Sequence, residues 1–183
     1  MRTDREYVSL ITRKLVQKDT HYLEMVWAIN EFNLVFDVEP NPELYANLVI
    51  EEVNEWQEEL LMHGWTENLL KETADILYVL EGLLNANVDE QLNISEETDE
   101  RLDQALTIVL NIIIPFCNHY YTPNTILLAF KETHRSNLSK LGEDGKPIRR
   151  ESDNKVLKGP NYTPADMSDL VFGKQEIVDI YEV

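Results

Sequence analysis

Cysteine is almost missing from this chain. Cys117 is the only one among 183 residues, so no intrachain disulfide can form, and a reducing intracellular setting is expected. Glycine is scarce as well, with six residues, four of them beyond position 140. Neither a Walker nor a Rossmann glycine-rich phosphate loop occurs. Positive charge is short: 16 Lys and Arg stand against 34 Asp and Glu, a formal net charge of −18. Such a field repels nucleic acid, which is not expected as a partner. The longest apolar run, near residues 108–117, is broken by Asn111 and Pro115 and is too short to span a bilayer. The opening MRTDREYVSL has no apolar stretch of the secretory type. A soluble cytoplasmic protein with no membrane partner is therefore expected, inside a bacterium or a virus-infected host cell. His-x-x-x-His spacing and cysteine clusters are absent, and no histidine follows a glutamate as di-iron bundles require, which disfavours zinc and iron.

What remains is enough for a core, since 43% of residues are hydrophobic. The charge is also unevenly distributed. Residues 37–100 are overwhelmingly acidic with Lys71 as the sole basic residue, whereas residues 131–158 carry half of the chain's Lys and Arg. Two solvated faces of opposite sign would explain this, and so would a metal-holding acidic cage beside a basic phosphate clamp.

Apolar periodicity predicts an all-α chain. Helices are expected at about 5–18 and 21–33. Another runs from Asn41-Pro42, a cap followed by proline at the first helical position, to His63, with Gly64 as terminator. A fourth is expected from Thr66 or Asn68 to about Leu84 or Asn87. Residues 88–100 read as an acidic loop. A helix over about 98–120 is preferred to a β-branched strand because no second strand exists to pair with it, and Pro115 should kink or split it. Pro123–Arg135 is a further helix. Turn chemistry is expected from Ser136 onward, with a short helix near Asp166–Phe172. A helical domain over 1–135, whose first 25 or so residues are an extension, thus precedes a basic tail over 136–183.

On the helix from Pro42, the residues Val49, Val53, Trp56 and Leu60 form a core stripe within about 60° of arc, flanked by Glu52 and Glu55. Glu51 and Glu58 lie further round, toward solvent. On the next helix Glu72 falls inside the apolar arc and Asp75 at its edge. A carboxylate on a core-facing arc is costly unless compensated. Lys71 is expected to point elsewhere, which leaves a divalent cation as compensator. A short connection makes the two helices antiparallel neighbours, so Glu52, Glu55, Glu72 and Asp75 converge as hard oxygen ligands suited to Mg²⁺.

The segments Glu51-Glu52-Val53-Asn54-Glu55-Trp56 and Lys71-Glu72-Thr73-Ala74-Asp75 resemble the Glu-Glu-x-x-Glu and Glu-x-x-Asp signature of the MazG-like, all-α NTP pyrophosphohydrolase superfamily. Phe32–Phe36 resembles its aromatic entry segment. His134–Leu141, Gly145-Lys146-Pro147 and Val156–Tyr162 resemble blocks of its phosphoribosyl-ATP pyrophosphohydrolase-like branch. The likeness covers about 30–85 and 130–165, leaving 86–129 and the first 25 or so residues unmatched. It implies a helical bundle that converts nucleoside triphosphate and water to monophosphate and pyrophosphate. Glu52, Glu55, Glu72 and Asp75 would hold Mg²⁺, with Mn²⁺ as substitute. Glu51 would orient or deprotonate the attacking water. Asn137 and Lys140 would contact sugar or phosphates, joined by Lys146, Lys158 and Tyr162. The tail would fold over the cage, and a homodimer or homotetramer is expected because two helices cannot bury one wide apolar arc alone. The competing reading is a non-enzymatic acidic decoy that mimics DNA and binds a basic partner. A Ca²⁺-binding structural module is disfavoured because no EF-hand loop is present.

Overall fold

A computed structural model describes residues 3–87, 91–152 and 154–171. In chain order the helices are α1 (Arg5–Val16), α2 (Asp19–Phe36), α3 (Pro42–His63), α4 (Glu67–Ala86), α5 (Glu96–Ile108), a π-helical turn (Val109–Ile113), α6 (Ile114–Tyr120), α7 (Pro123–Leu138) and α8 (Ser168–Val171). The architecture is all-helical. Among the described residues β-pairing is limited to two isolated bridges, Asp4 with Gln91 and Arg149 with Val156. No helix in this set is long and apolar enough to cross a membrane.

Local chemistry sets the helix ends. The Asn41 carboxamide oxygen accepts the Leu44 N–H at 2.9 Å ahead of Pro42. Gly64 ends α3 with φ 72°, a backbone conformation that disfavours a side chain. Thr66, Ser95 and Thr122 cap α4, α5 and α7 through their hydroxyls.

The expected helix over 98–120 starts earlier, at Glu96, and is interrupted. Proline lacks an N–H and its ring crowds the preceding turn. The π-helical turn ends two residues before Pro115, so the break falls ahead of the proline and not at it. The helix from Pro123 runs on to Leu138, three residues beyond expectation, so Ser136 and Asn137 belong to its last turn and not to the tail. The short helix is confined to Ser168–Val171; Phe172 and the rest of the tail to Val183 lie outside the described residues, as do 88–90 of the expected acidic loop.

Helix α4 sits at the centre, packed against α1, α2, α3, α7 and α8. It is buried on every side, from Leu69 and Leu70 through Ile76, Leu77 and Leu80 to Leu83 and Leu84. The α3–α4 pairing is pinned by Trp56, fully buried, whose indole N–H donates to Thr73 Oγ1 at 3.0 Å. The Thr73 hydroxyl in turn donates to the Leu69 carbonyl at 2.9 Å.

Burial of α4 on all sides also encloses Glu81, which faces Tyr22 and the neighbourhood of Arg5 and Arg13. Its Oε2 has no hydrogen-bond partner. Desolvation pushes its carboxyl up to about 7, against the partial opposition of Tyr22 and the two arginines. The raised value means that the fold prefers protonated Glu81. Its stability contribution is complete below the ordinary carboxylate range and is lost as pH rises through about 7. Glu81→Gln is expected to remove that slope and to stabilise the protein by up to roughly 3 kcal/mol at about pH 8, with little effect near pH 4. Urea unfolding at both pH values measures it; equal changes at the two would contradict it.

Candidate metal and anion site

Helices α3 and α4 bring Glu52, Glu55 and Glu72 together, with one carboxylate oxygen of each lying within 4.8 Å of the others. Glu72 is buried, Glu52 half-buried and Glu55 exposed. Desolvation raises the Glu72 carboxyl, partly offset by Lys71 and reinforced by Asp75 and Glu55. Glu52 is raised by desolvation and by the charges of Asp75, Glu55 and Glu72. Glu72 Oε2 is a buried oxygen with no hydrogen-bond partner.

Lys71 does not point elsewhere. Its ammonium lies 2.8 Å from Glu72 Oε1 and 2.7 Å from Asp75 Oδ2. The i,i+4 relation to Asp75 brings the long side chain along the helix surface, and two carboxylates outweigh its desolvation, holding its pKa above the ordinary range. Asp75 is therefore engaged by Lys71 and stands beside the three glutamates, not among them. A cation already compensates part of the buried charge, so a metal is not the sole remedy. Lys71 nevertheless reaches only one Glu72 oxygen and neither Glu52 nor Glu55 by an ion pair.

The donor set fits a small hard cation. All three donor groups are carboxylates, and Glu72 keeps one buried oxygen without a partner. Hard, oxygen-seeking cations such as Mg²⁺ take carboxylate ligands of this kind.

Next to the glutamates lies a cleft of about 190 Å³. Glu52 and Asp75 line it, together with Lys140, Arg149 and Lys155, and Phe32, Tyr45 and Tyr78 supply aromatic surface. The Tyr78 hydroxyl lies 3.0 Å from His134 Nδ1, and His134 Nε2 lies 3.0 Å from Glu31 Oε2. Burial raises the Tyr78 phenol well above its ordinary value, with Asn137 as a hydrogen-bond partner working the other way. Lys140 is held below the ordinary ammonium range by desolvation, opposed by the charges of Asp75 and Glu52.

The sequence-predicted residues divide accordingly. Asn137 and Lys140 line the cleft. Lys146 and Lys158 are exposed and outside it, with the Lys158 ammonium resting 4.7 Å from the centre of the Tyr162 ring. Glu51 is turned outward, paired with Lys155 at 2.9 Å. In place of Lys146 and Lys158, the tail presents Arg149 and Lys155, which sequence reasoning had not singled out. Arg149 is held by the carbonyls of Phe36 and Asp37 at the end of α2 and bridges to Val156. Helix periodicity is silent in this irregular segment, so which of its cations faces inward was not readable.

No family model, curated protein or solved structure matches the chain.

The clustered glutamates yield a direct test. Glu52→Gln removes a charge that faces three carboxylates, so it is expected to stabilise the metal-free protein by about 1 kcal/mol, a rise in melting temperature of roughly 3 °C. The same change should abolish most of the stabilisation that Mg²⁺ gives the parent. Thermal scans in chelator and in Mg²⁺ read both effects; an unchanged Mg²⁺ response would rule Glu52 out as a ligand.

Proposed function

We propose that this protein is a Mg²⁺-dependent nucleoside triphosphate pyrophosphohydrolase. The observation that carries the reading is the glutamate trio at the edge of a cleft walled by three cations and three aromatic rings. A triphosphate is anionic at one end and flat and aromatic at the other, and the cleft offers both complements. The signature resemblance described above supports the same reading.

Glu52, Glu55 and Glu72, with Asp75 beside them, would hold the metal. A bound divalent cation supplies charge neutralisation at the phosphates and acidifies water. Lys140, Arg149 and Lys155 meet phosphate oxygens from the tail side and offset charge that develops on the leaving pyrophosphate. Attack of water oxygen on the α-phosphorus forms one P–O bond as the bond to the bridging oxygen breaks, giving monophosphate and pyrophosphate. The water proton passes to a carboxylate. Glu51 takes that role only if its pair with Lys155 opens, which binding of phosphate by Lys155 would bring about.

The reading extends to assembly as a homodimer or homotetramer. Leu23, Trp27 and Leu34 stand exposed along α2, Trp27 at 75% and Leu34 at 84%, apolar surface that an assembly would cover. Light scattering on the eluting protein reads the state directly.

Hydrolysis of a panel of ribo- and deoxynucleoside triphosphates is expected to release pyrophosphate in Mg²⁺, to persist in Mn²⁺ and to stop in excess chelator. Glu72→Gln should abolish turnover. Orthophosphate as first product, or full activity in chelator, defeats the proposal. Lys140→Ala should raise KM by roughly tenfold or more while leaving the Mg²⁺ thermal shift of the free protein intact, because it removes a phosphate contact and no metal ligand.

A further inference from the structure

The aromatic lining of the cleft contains a packing arrangement that neither the sequence signature nor the glutamates require. Tyr45 on α3 lies against Gly82 on α4. A Cβ built on Gly82 would fall 2.1 Å from Tyr45 Cε1, 2.6 Å from Cδ1 and 2.9 Å from Cζ. No side chain can occupy position 82 while the ring stays where it is. A glycine in the middle of a helix costs about 1 kcal/mol relative to alanine, and this one lies within a helix buried on every side. The ring itself is almost wholly buried, its phenol pushed up to about 12 by desolvation.

The remaining surface of Tyr45 borders the cleft, together with Phe32, Leu44, Leu48, Tyr78 and Val79. These six supply apolar and aromatic surface, whereas the charged lining residues are Glu39, Glu52, Asp75 and the three tail cations. A flat, largely apolar ring has its best complement beside these aromatic residues. How deep such a ring can go depends on how closely Tyr45 packs onto α4, and Gly82 sets that distance.

We propose that Tyr45, seated on Gly82, is the size gate for the base of a nucleotide substrate. Tyr45 is the specificity-determining residue that touches the base, and Gly82 is a positioning residue that acts through it. The inference rests on the nucleotide-hydrolase reading and adds the means by which the base is selected by size. A methyl group at position 82 drives the ring off α4, and the cleft is the open space which that ring borders. The gate narrows. Shortening Tyr45 leaves Gly82 uncovered and widens the gate. Both changes act on the fit of the base and leave the glutamates untouched, so the effect belongs in KM and in the ratio between substrates of one and two rings.

The experiment compares a pyrimidine and a purine deoxynucleoside triphosphate by kcat and KM. It also measures the melting-temperature rise given by the corresponding monophosphates, which requires no turnover. Tyr45→Leu is expected to shift the purine-to-pyrimidine ratio of kcat/KM toward purine by roughly tenfold, mostly through KM, with a matching change in the monophosphate shifts. Gly82→Ala is expected to shift the ratio the other way. In the double variant Gly82→Ala/Tyr45→Leu the clash is gone, and the ratio should return toward that of Tyr45→Leu. If Gly82→Ala fails to fold, Tyr45→Leu and the double variant still decide the matter. A ratio that stays within about twofold of the parent while both substrates suffer equally overturns the size gate and leaves the hydrolase reading standing. A parent protein that hydrolyses no nucleotide and gains no thermal stability from any of them overturns both.

Discussion

Enclosure of α4 on all sides is the constraint from which the other features descend. A helix in that position exposes few of its side chains to water, so each of its buried polar groups must be matched by the surrounding elements. Thr73 is matched by the Trp56 indole and its own Leu69 carbonyl. Tyr78 is matched by His134 on α7. Glu72 and Glu81 are matched incompletely, each keeping one carboxylate oxygen without a partner. The two shortfalls differ in kind. Glu81 stands without other carboxylates among the groups that shift it and resolves its cost by holding a proton, whereas Glu72 stands with Glu52 and Glu55, of which Glu52 lines a cleft. Burial alone therefore does not mark a carboxylate as a candidate ligand; the company of other carboxylates beside a cleft does.

Charge separation along the chain becomes charge apposition in the fold. The acidic first half and the basic tail meet across the cleft, through Lys155 against Glu51 and through the proximity of Lys140 to Asp75 and Glu52. Exposed ion pairs such as Lys155–Glu51 are worth little individually. The backbone contacts do more to place the tail. Arg149 grips the last carbonyls of α2, and the Gly159 N–H donates to the Lys140 carbonyl at 3.0 Å. At Gly159 a Cβ would fall 2.2 Å from the Leu141 carbonyl oxygen, so the tail can return beside α7 only because that position lacks a side chain.

Legibility in the sequence follows the range of the interactions involved. Caps act over three residues, and Asn41-Pro42, Thr66 and Gly64 bound α3 and α4 where their chemistry indicates. The inward placement of Glu52 and Glu72 follows from the 3.6-residue period alone. Lys71 was misread because angular position on a helix describes the Cβ, and four methylenes carry the ammonium along the surface to Asp75. Arg149 and Lys155 were out of reach for another reason: their partners on α2 and α3 lie about a hundred residues earlier, and no period links an irregular tail to them. The contacts of His134 with Tyr78 and Glu31 span 56 and 103 residues and leave no local trace.

Shape and charge of the cleft come from different parts of the chain. Its aromatic lining comes from helices, through Tyr45 and Tyr78, and the Tyr45–Gly82 contact leaves no room for the Tyr45 ring to move closer to α4. Its cationic side is hung from a tail without regular structure, held by a few backbone hydrogen bonds and by side chains that can exchange one anionic partner for another. On the proposed nucleotide-hydrolase reading, an arrangement of this kind would separate two demands on the site. Discrimination between bases needs a wall that does not yield, since a soft wall accepts the wrong ring at little cost. Capture and release of a polyanion need cations that can let go, since fully buried and fixed ammonium groups would hold pyrophosphate after the bond has broken. On the same reading Lys155, paired with Glu51, would have an anionic partner to return to once phosphate departs.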